Sequence, residues 1–370
     1  MKKVLRQPRT YGFLYTILLL CFTIYAVLDT FVIARNYQVV EEENYSDLFV
    51  QQEVTDNSAS SDESGSESSS DSSSGSSSYS SGKPSSKSGK TKRSSESTTD
   101  NATDNSSDNS NEDNSTESNS DNTTIAGTQL GTYSSDNIQI TLTQYRENNT
   151  DIYVADIQVV SVEYLRTAFA NQTYGKNVTE KTSTIANENE AILAINGDFY
   201  GARNRGYVIR NHQIYRESSA GNSQEDLVIY TDGSFEIISE GDVTAQELLE
   251  QGAWQVLSFG PGLINQGEVM VTSDSEVDRA MTSNPRTAIG EIDELHYVMI
   301  VSDGRTNQSE GLNLLELAKF MQSLGVTTAY NLDGGGSSTM YYNGEVINQP
   351  TTNGRKIAER SVSDIVYLGE

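Results

Sequence analysis

The stretch Ala329-Tyr330-Asn331-Leu332-Asp333-Gly334-Gly335-Gly336-Ser337-Ser338-Thr339-Met340 decides how this chain is read. An apolar run beginning at Val326 delivers Asn331 and Asp333 to the edge of three consecutive glycines. Two hydroxyls follow, and a second strand-like run covers residues 339–342. Glycines open backbone conformations closed to other residues and let N–H groups come close to a ligand. The pattern predicts a buried strand whose end presents an amide, an acid, bare backbone donors and two hydroxyls. A Gly-rich hairpin turn is the plain alternative; the flanking Asn331, Asp333, Ser337 and Ser338 favour a site.

Outward from this loop the pattern is strand-rich. Residues 137–144 and 151–160 alternate apolar and polar, as half-buried strands do, while 191–195 and 297–301 are short apolar runs of buried strands. Helices are few. Residues 182–189 and 244–251 suit short ones. Residues 313–324 suit a longer one: Asn313 and Glu316 have capping-box spacing, Leu314, Leu317, Phe320, Met321 and Leu324 share a face, and Gly325 provides the stop. No internal repeat or second linker interrupts the region. The expectation is one mixed α/β (α+β) domain over residues 126–370.

Four further segments end an apolar strand in glycine and a functional side chain. They are Ala194-Ile195-Asn196-Gly197-Asp198-Phe199-Tyr200, Ser258-Phe259-Gly260-Pro261-Gly262, Pro285-Arg286-Thr287-Ala288-Ile289-Gly290 and Val301-Ser302-Asp303-Gly304-Arg305; Glu359-Arg360-Ser361-Val362 follows near the end. Singly, each reads as a turn. In this order, and with the DGGGSS loop, residues from about 180 to 368 resemble the phosphodiester glycosidase family. The resemblance implies hydrolysis of the bond between a sugar's anomeric carbon and a phosphodiester oxygen. It assigns site positions to Asn196, Arg286, Asp303, Arg305, Asn331, Asp333, Ser337, Ser338 and Arg360. Two departures stand out. Gly197-Asp198 replaces the family's usual Gly-Gly, adding a carboxylate, and the cysteine-rich modules of animal members are absent.

The chemistry can be read independently. A phosphate monoester is a good leaving group, so such a reaction needs little general-acid help. It must hold phosphate, stabilise an oxocarbenium-like carbon and deliver water or a nucleophile. Arg286, Arg305 and Arg360, with Asn196, Asn331, Gly334, Gly335, Gly336, Ser337 and Ser338, suit substrate binding. Asp333, Asp303 and Asp198 are the catalytic candidates. The chain has only two histidines, His212 and His296, so a Ser-His-Asp triad or a His-rich zinc site is poorly supplied. No cofactor is required, although Asp198, Asp303 and Asp333 could hold Mg²⁺ or Ca²⁺ through oxygen. Strand rather than helix pattern follows the glycines, which excludes a nucleotide-binding fingerprint.

The N-terminal third reads differently. Lys2, Lys3, Arg6 and Arg9 precede a charge-free apolar run over residues 11–28, extended by 31–34. Its length and flanking charge predict a single-pass anchor within residues 1–40, with the C-terminal bulk outside a bacterial cell. No small-x-small cleavage site follows, which disfavours a removed signal peptide. Large Leu20 before Cys21, the sole cysteine, disfavours a lipoprotein box. Residues 41–125 are mostly Ser, Asn, Asp, Glu and Thr and should be a disordered linker, with a coil span on the order of 50 Å. The net charge of −27 argues against a nucleic-acid partner. The expected partners are a sugar-phosphate or anionic glycopolymer and, through the N-terminal helix, a membrane. Two other functions fit the same pocket: a non-catalytic scaffold for anionic surface polysaccharide, and a phosphoglycosyl transferase.

Overall fold

Alternation along the strands sorts side chains to two faces, and that sorting builds the domain. On Thr150–Val159, Tyr153, Ala155, Ile157 and Val159 join one apolar cluster while Ile152 and Val154 join another. The same split recurs on Leu193–Asn196, where Leu193 and Ile195 face the first cluster and Ala194 a third. The chain was examined as a computed structural model, which describes residues 8–27, 37–40, 48–49, 126–275 and 283–370.

Three sheets share the central cluster, and every strand pairing among the described residues is antiparallel. An eight-stranded sheet runs in the order Glu268–Val269, Gly262–Asn265, Thr328–Asn331, Arg286–Asp293, His296–Ser302, Thr150–Val159, Ile138–Glu147, Thr128–Ser134. A five-stranded sheet orders Glu345–Val346, Met340–Tyr342, Leu193–Asn196, Asp364–Leu368 and Leu165–Phe169. A second five-stranded sheet is built on Val208–Arg210, Ala253–Leu257 and Glu225–Tyr230. Each sheet has one helix packed on its outer face. Leu314–Ser323 covers the first, Thr182–Glu188 the second and Ala245–Glu250 the third. Segregated helices on antiparallel sheets make this the strand-rich α+β domain that the sequence predicts.

Local chemistry explains the helix limits. Asn313 and Thr244 accept from the N–H groups of Glu316 and Glu247, whose carboxylates reach back to complete two capping boxes. Gly325, at φ +86°, lets the chain turn out of the longest of these three helices. Ala191, expected in a strand, instead donates its N–H to Ala186 O and closes the preceding helix. The Val208–Arg210 hairpin was not legible. Its turn residues Asn211 and His212 both sit at positive φ without a glycine to mark them.

The expected anchor falls on the helix Pro8–Val27. Among the described residues no helix is long and apolar enough to cross a membrane, and Leu28 and residues 31–34 lie outside them, so the span is not shown. Of the linker expected over 41–125, all but Leu48 and Phe49 lies outside the described residues. Leu48 and Phe49 are half-buried against the central cluster.

One surface of the first sheet stores a pH dependence. Glu291 is partly buried on Arg286–Asp293, accepting from Phe235 N at 3.4 Å, and burial above all pushes its pKa to about 7. The folded state holds this proton more tightly than the unfolded chain, whose carboxyl has the ordinary 4.5. The contribution to stability is therefore fully present below the ordinary value and is lost as pH rises towards 7. Thermal melts of wild type and Glu291→Gln across this window test it: the glutamine keeps an acceptor for Phe235 and should flatten the fall in Tm. Parallel curves would show that Glu291 is not responsible.

Candidate active site

The site is assembled where the first two sheets end together, and the carboxamide of Asn196 ties those ends. Asn196 closes Leu193–Asn196 and is fully buried. Its Oδ1 accepts from Thr287 Oγ1 at 2.8 Å and from Thr339 N at 3.2 Å. Its Nδ2 donates to the carbonyls of Asp333, at 2.6 Å, and Gly197, at 3.3 Å. Asn196 was expected to touch substrate. Every polar atom of its side chain is instead spent inside the chain, fixing where Asp333 begins its turn.

Asp333 follows the strand Thr328–Asn331 and keeps some solvent access, with 14 % of its side chain exposed. Its Oδ2 accepts from Ser337 Oγ at 2.6 Å and from Arg360 Nη2 at 2.9 Å. Arg360 Nε also donates to Ser337 Oγ at 2.9 Å, closing a three-residue ring. Asp333 Oδ1 and Arg360 Nη1 take no partner among the described residues. An open carboxylate oxygen thus lies beside an open guanidinium nitrogen. Burial raises the Asp333 pKa above the ordinary carboxylate value, and the Arg360 charge and the Ser337 hydroxyl oppose that rise.

The three glycines make room more than they make donors. Gly335 sits at φ +63°, and a Cβ there would lie 2.8 Å from Arg305 Nη2; a Cβ on Gly336 would meet Thr352 Oγ1 at 2.7 Å. The N–H groups of Gly335, Ser337 and Ser338 are taken by Pro285 O, Gly334 O and Gly335 O. Three donors of the loop, one of them on a glycine, are thus used inside the chain, and Gly335 also lets Arg305 lie against the loop. Arg305 is itself at φ +60°, a left-handed backbone that costs a non-glycine residue on the order of 1 kcal/mol. Its Nε and Nη2 donate to Asn284 Oδ1 and its Nη1 to Thr352 O. Each Nη keeps one N–H to spare.

Three cations converge here. Burial, then the charges of Arg360 and Arg286, lower the Arg305 pKa, so the guanidinium groups sense one another. Arg286 is buried and holds Leu312 O through Nε at 2.8 Å. Arg305 is exposed and Arg360 half-exposed. Like charges gathered on a rigid loop are costly unless an anion joins them, and phosphate matches the guanidinium fork.

The other two acids are not presented to substrate, contrary to the sequence expectation. Asp198 is buried: Oδ1 accepts from Tyr200 N, and Oδ2 from Ser258 N and Arg210 Nη2. Arg210 also pairs with Asp364 at 2.8 Å, so two carboxylates share one buried guanidinium. Asp303 is buried as well, and its Oδ1 holds Asn348 Nδ2 at 3.1 Å and Gln349 N at 2.8 Å. Both carboxylates shape the frame. Asn331 likewise anchors backbone, through Nδ2 to Gly260 O at 2.8 Å; its Oδ1 and Ser338 Oγ are buried without a protein partner. Among the described residues no group of three His, Cys, Asp or Glu is gathered for a metal. Asp198 and Asp303, two of the three proposed oxygen donors, are already spent. A cleft of about 470 Å³ opens beside residues 259–262, lined also by 223–225 and Met270, but not by Asp333 or the three arginines.

Residues 189–368 match the family model described as phosphodiester glycosidase. This segment is a phosphodiester glycosidase domain. The mouse N-acetylglucosamine-1-phosphodiester alpha-N-acetylglucosaminidase is 30 % identical over 176 residues, covering 43 % of this chain and 33 % of the mouse protein. An uncharacterised SPbeta prophage-derived protein of Bacillus subtilis, YomE, is 28 % identical over 201 residues, covering 53 % of this chain and 30 % of that protein. The chain thus spans about a third of the length of the curated relatives it matches. The catalytic domain of the zebrafish N-acetylglucosamine-1-phosphodiester alpha-N-acetylglucosaminidase superposes with a TM-score of 0.51 at 22 % identity, over 66 % of this chain and 88 % of that one, and so shares the fold.

Within the phosphodiester glycosidase domain, Thr287, Asn284, Asn348 and Arg210 hold the frame and were not singled out from sequence. An arginine closing the apolar run Val208-Ile209-Arg210 was the available signal for a buried pair. Replacing Asn196 by Ala orphans Thr287, Thr339 N and the Asp333 carbonyl at once. It should cost about 2–4 kcal/mol in urea unfolding. A loss under about 0.5 kcal/mol, the range of ordinary surface substitutions, would contradict its tying role.

Proposed function

We propose that the chain hydrolyses sugar-1-phosphodiesters, releasing a sugar and a phosphate monoester, and that its substrates are glycopolymers outside the cell. The observation that carries this reading is the convergence of Arg286, Arg305 and Arg360 on one glycine loop beside one open carboxylate, Asp333. In this reading the arginines take the diester oxygens and then the developing monoester charge. Asp333 Oδ1 faces the anomeric carbon, offsets the positive charge that grows there and accepts a proton from the attacking water. The carbon–oxygen bond breaks and its electron pair leaves with the phosphate, which the guanidinium groups neutralise without a proton donor. Ser337 and Arg360 lock the Asp333 carboxylate plane, as a base acting at a fixed point requires.

Support for the extracellular setting lies in the sequence, in the basic cluster Lys2, Lys3, Arg6 and Arg9 ahead of the apolar run 11–28. Protease added to intact producing cells should remove the domain. A protected domain would reverse the orientation.

Activity is tested on the full chain in detergent, with a panel of sugar-1-phosphodiesters that includes an N-acetylglucosamine-1-phosphodiester. Sugar release should persist in chelator, because arginines supply the charge. A folded protein that binds but never turns over would leave only a scaffold. Asp333→Asn keeps the shape but loses the charge, so kcat should fall roughly 10²-fold or more with KM little changed. Arg305→Ala should raise KM at least as much as it lowers kcat, because phosphate is held in ground and transition states alike. Equal Tm values separate chemistry from collapse of the loop. The active form of Asp333 is the carboxylate and its pKa is raised. The acid limb of kcat/KM should therefore lie above the ordinary carboxylate range and move higher still in Ser337→Ala, which removes a bond that stabilises the charge. An acid limb at the ordinary value would take Asp333 out of this role.

A further inference from the structure

Residues 37–40 and 48–49, ahead of the low-complexity stretch, are already bound to the domain. Gln38–Val39 pair antiparallel with Thr173–Tyr174, in the register Gln38 with Tyr174 and Val39 with Thr173. Val40 N donates to Gln172 O at 3.0 Å, extending the ladder by one bond. The Val40 side chain packs on the aromatic cluster of Phe169, Tyr174, Tyr200 and Tyr215. Gly175 has no side chain where the Tyr37 ring lies, and a Cβ there would collide with that ring. A second hold follows at Phe49, which meets Trp254 edge-on at 5.3 Å between ring centres, with Leu48 beside it on the central cluster.

We propose that residues 37–40 and 48–49 are the two holds of a docked strap, so that the length of residues 54–124 does not space the N-terminal helix from the domain. The consequence is one of reach. A coil in series would hold the domain on the order of 50 Å away. With the strap docked, the connection from Val27 to Gln38 is the only spacer, and even fully extended it spans at most about 40 Å. Strand addition at an exposed edge supplies main-chain bonds, and Val40 and Phe49 supply the apolar anchors that fix register. The receiving strand is also stitched to the mount of Arg360. Asn171 N donates to Glu180 Oε2 at 3.2 Å, and Glu180–Lys181 pair with Ser361–Val362. The strap therefore closes the back of a segment that positions the site.

A register-specific cross-link tests this in the full chain, in detergent, with Cys21 replaced by Ser and a specific protease site inserted within residues 54–124. Val39 and Thr173 form a non-hydrogen-bonded pair, whose Cβ atoms stand roughly 4.5–5.5 Å apart, close enough for a disulfide with slight adjustment. Val39→Cys with Thr173→Cys should link most molecules, so that the two fragments run together on a non-reducing gel after cleavage. Val39→Cys with Glu250→Cys should not. The sole tryptophan provides an independent readout, since Trp254 carries Phe49 on its ring. Phe49→Ala should shift its emission to longer wavelength while the near-native Tm reports a folded domain. Linkage no greater than in the control pair, or emission that stays put in Phe49→Ala, overturns the strap.

Discussion

The carboxamide of Asn196 is the constraint from which the site hangs. One side chain joins the end of Leu193–Asn196, the strand carrying Thr287, the Asp333 carbonyl and the chain at Thr339, and so fixes two sheets against each other at their edges. An amide can do this because it offers donors and acceptors a few ångströms apart in one rigid plane. Buried away from water, each of these bonds is costly to leave unmade, which gives the junction a single geometry. Asp333 enters its turn at a fixed height above that junction. The ring it forms with Ser337 and Arg360 then inherits the position.

Electrostatics at the surface complement this frame. Arg286 holds Leu312 O, and Arg305 and Arg360 are held by Thr352 O, Asn284, Ser337 and Asp333. The three guanidinium groups sense one another, although the whole chain carries −27. Arg305 is held at φ +60°, and the glycine at 335 removes a side chain that would meet its guanidinium, while those at 334 and 336 make room for Pro285 O and Thr352.

How much of this was legible depended on whether the deciding partner was near in sequence. The capped helices, the alternating strands and the Asn-Leu-Asp-Gly-Gly-Gly-Ser-Ser loop carry their own signals within a few residues, and the α+β class followed from them. Asp333, Arg305 and Arg360 were singled out because acid, arginine and glycine recur in order along the chain, and folding brings the three together. The roles of Asp198 and Asp303 were not legible. What removes Asp198 from the surface is Arg210 and Ser258, and what removes Asp303 is Asn348 and Gln349, all brought there by tertiary folding. In the glycine loop, the Gly335 donor goes to Pro285 O, and the Ser337 and Ser338 donors go to the loop's own carbonyls, partners that a count of glycines does not reveal.

The account's central claim is that bond breaking occurs at the sugar carbon, with phosphate as the leaving group. Hydrolysis in ¹⁸O-labelled water measures this directly, through the isotope shift in the ³¹P spectrum of the phosphate monoester released. Attack at carbon under Asp333 predicts a phosphate product free of the label. A labelled phosphate would place the attack at phosphorus and contradict the reading of the site as a glycosidase.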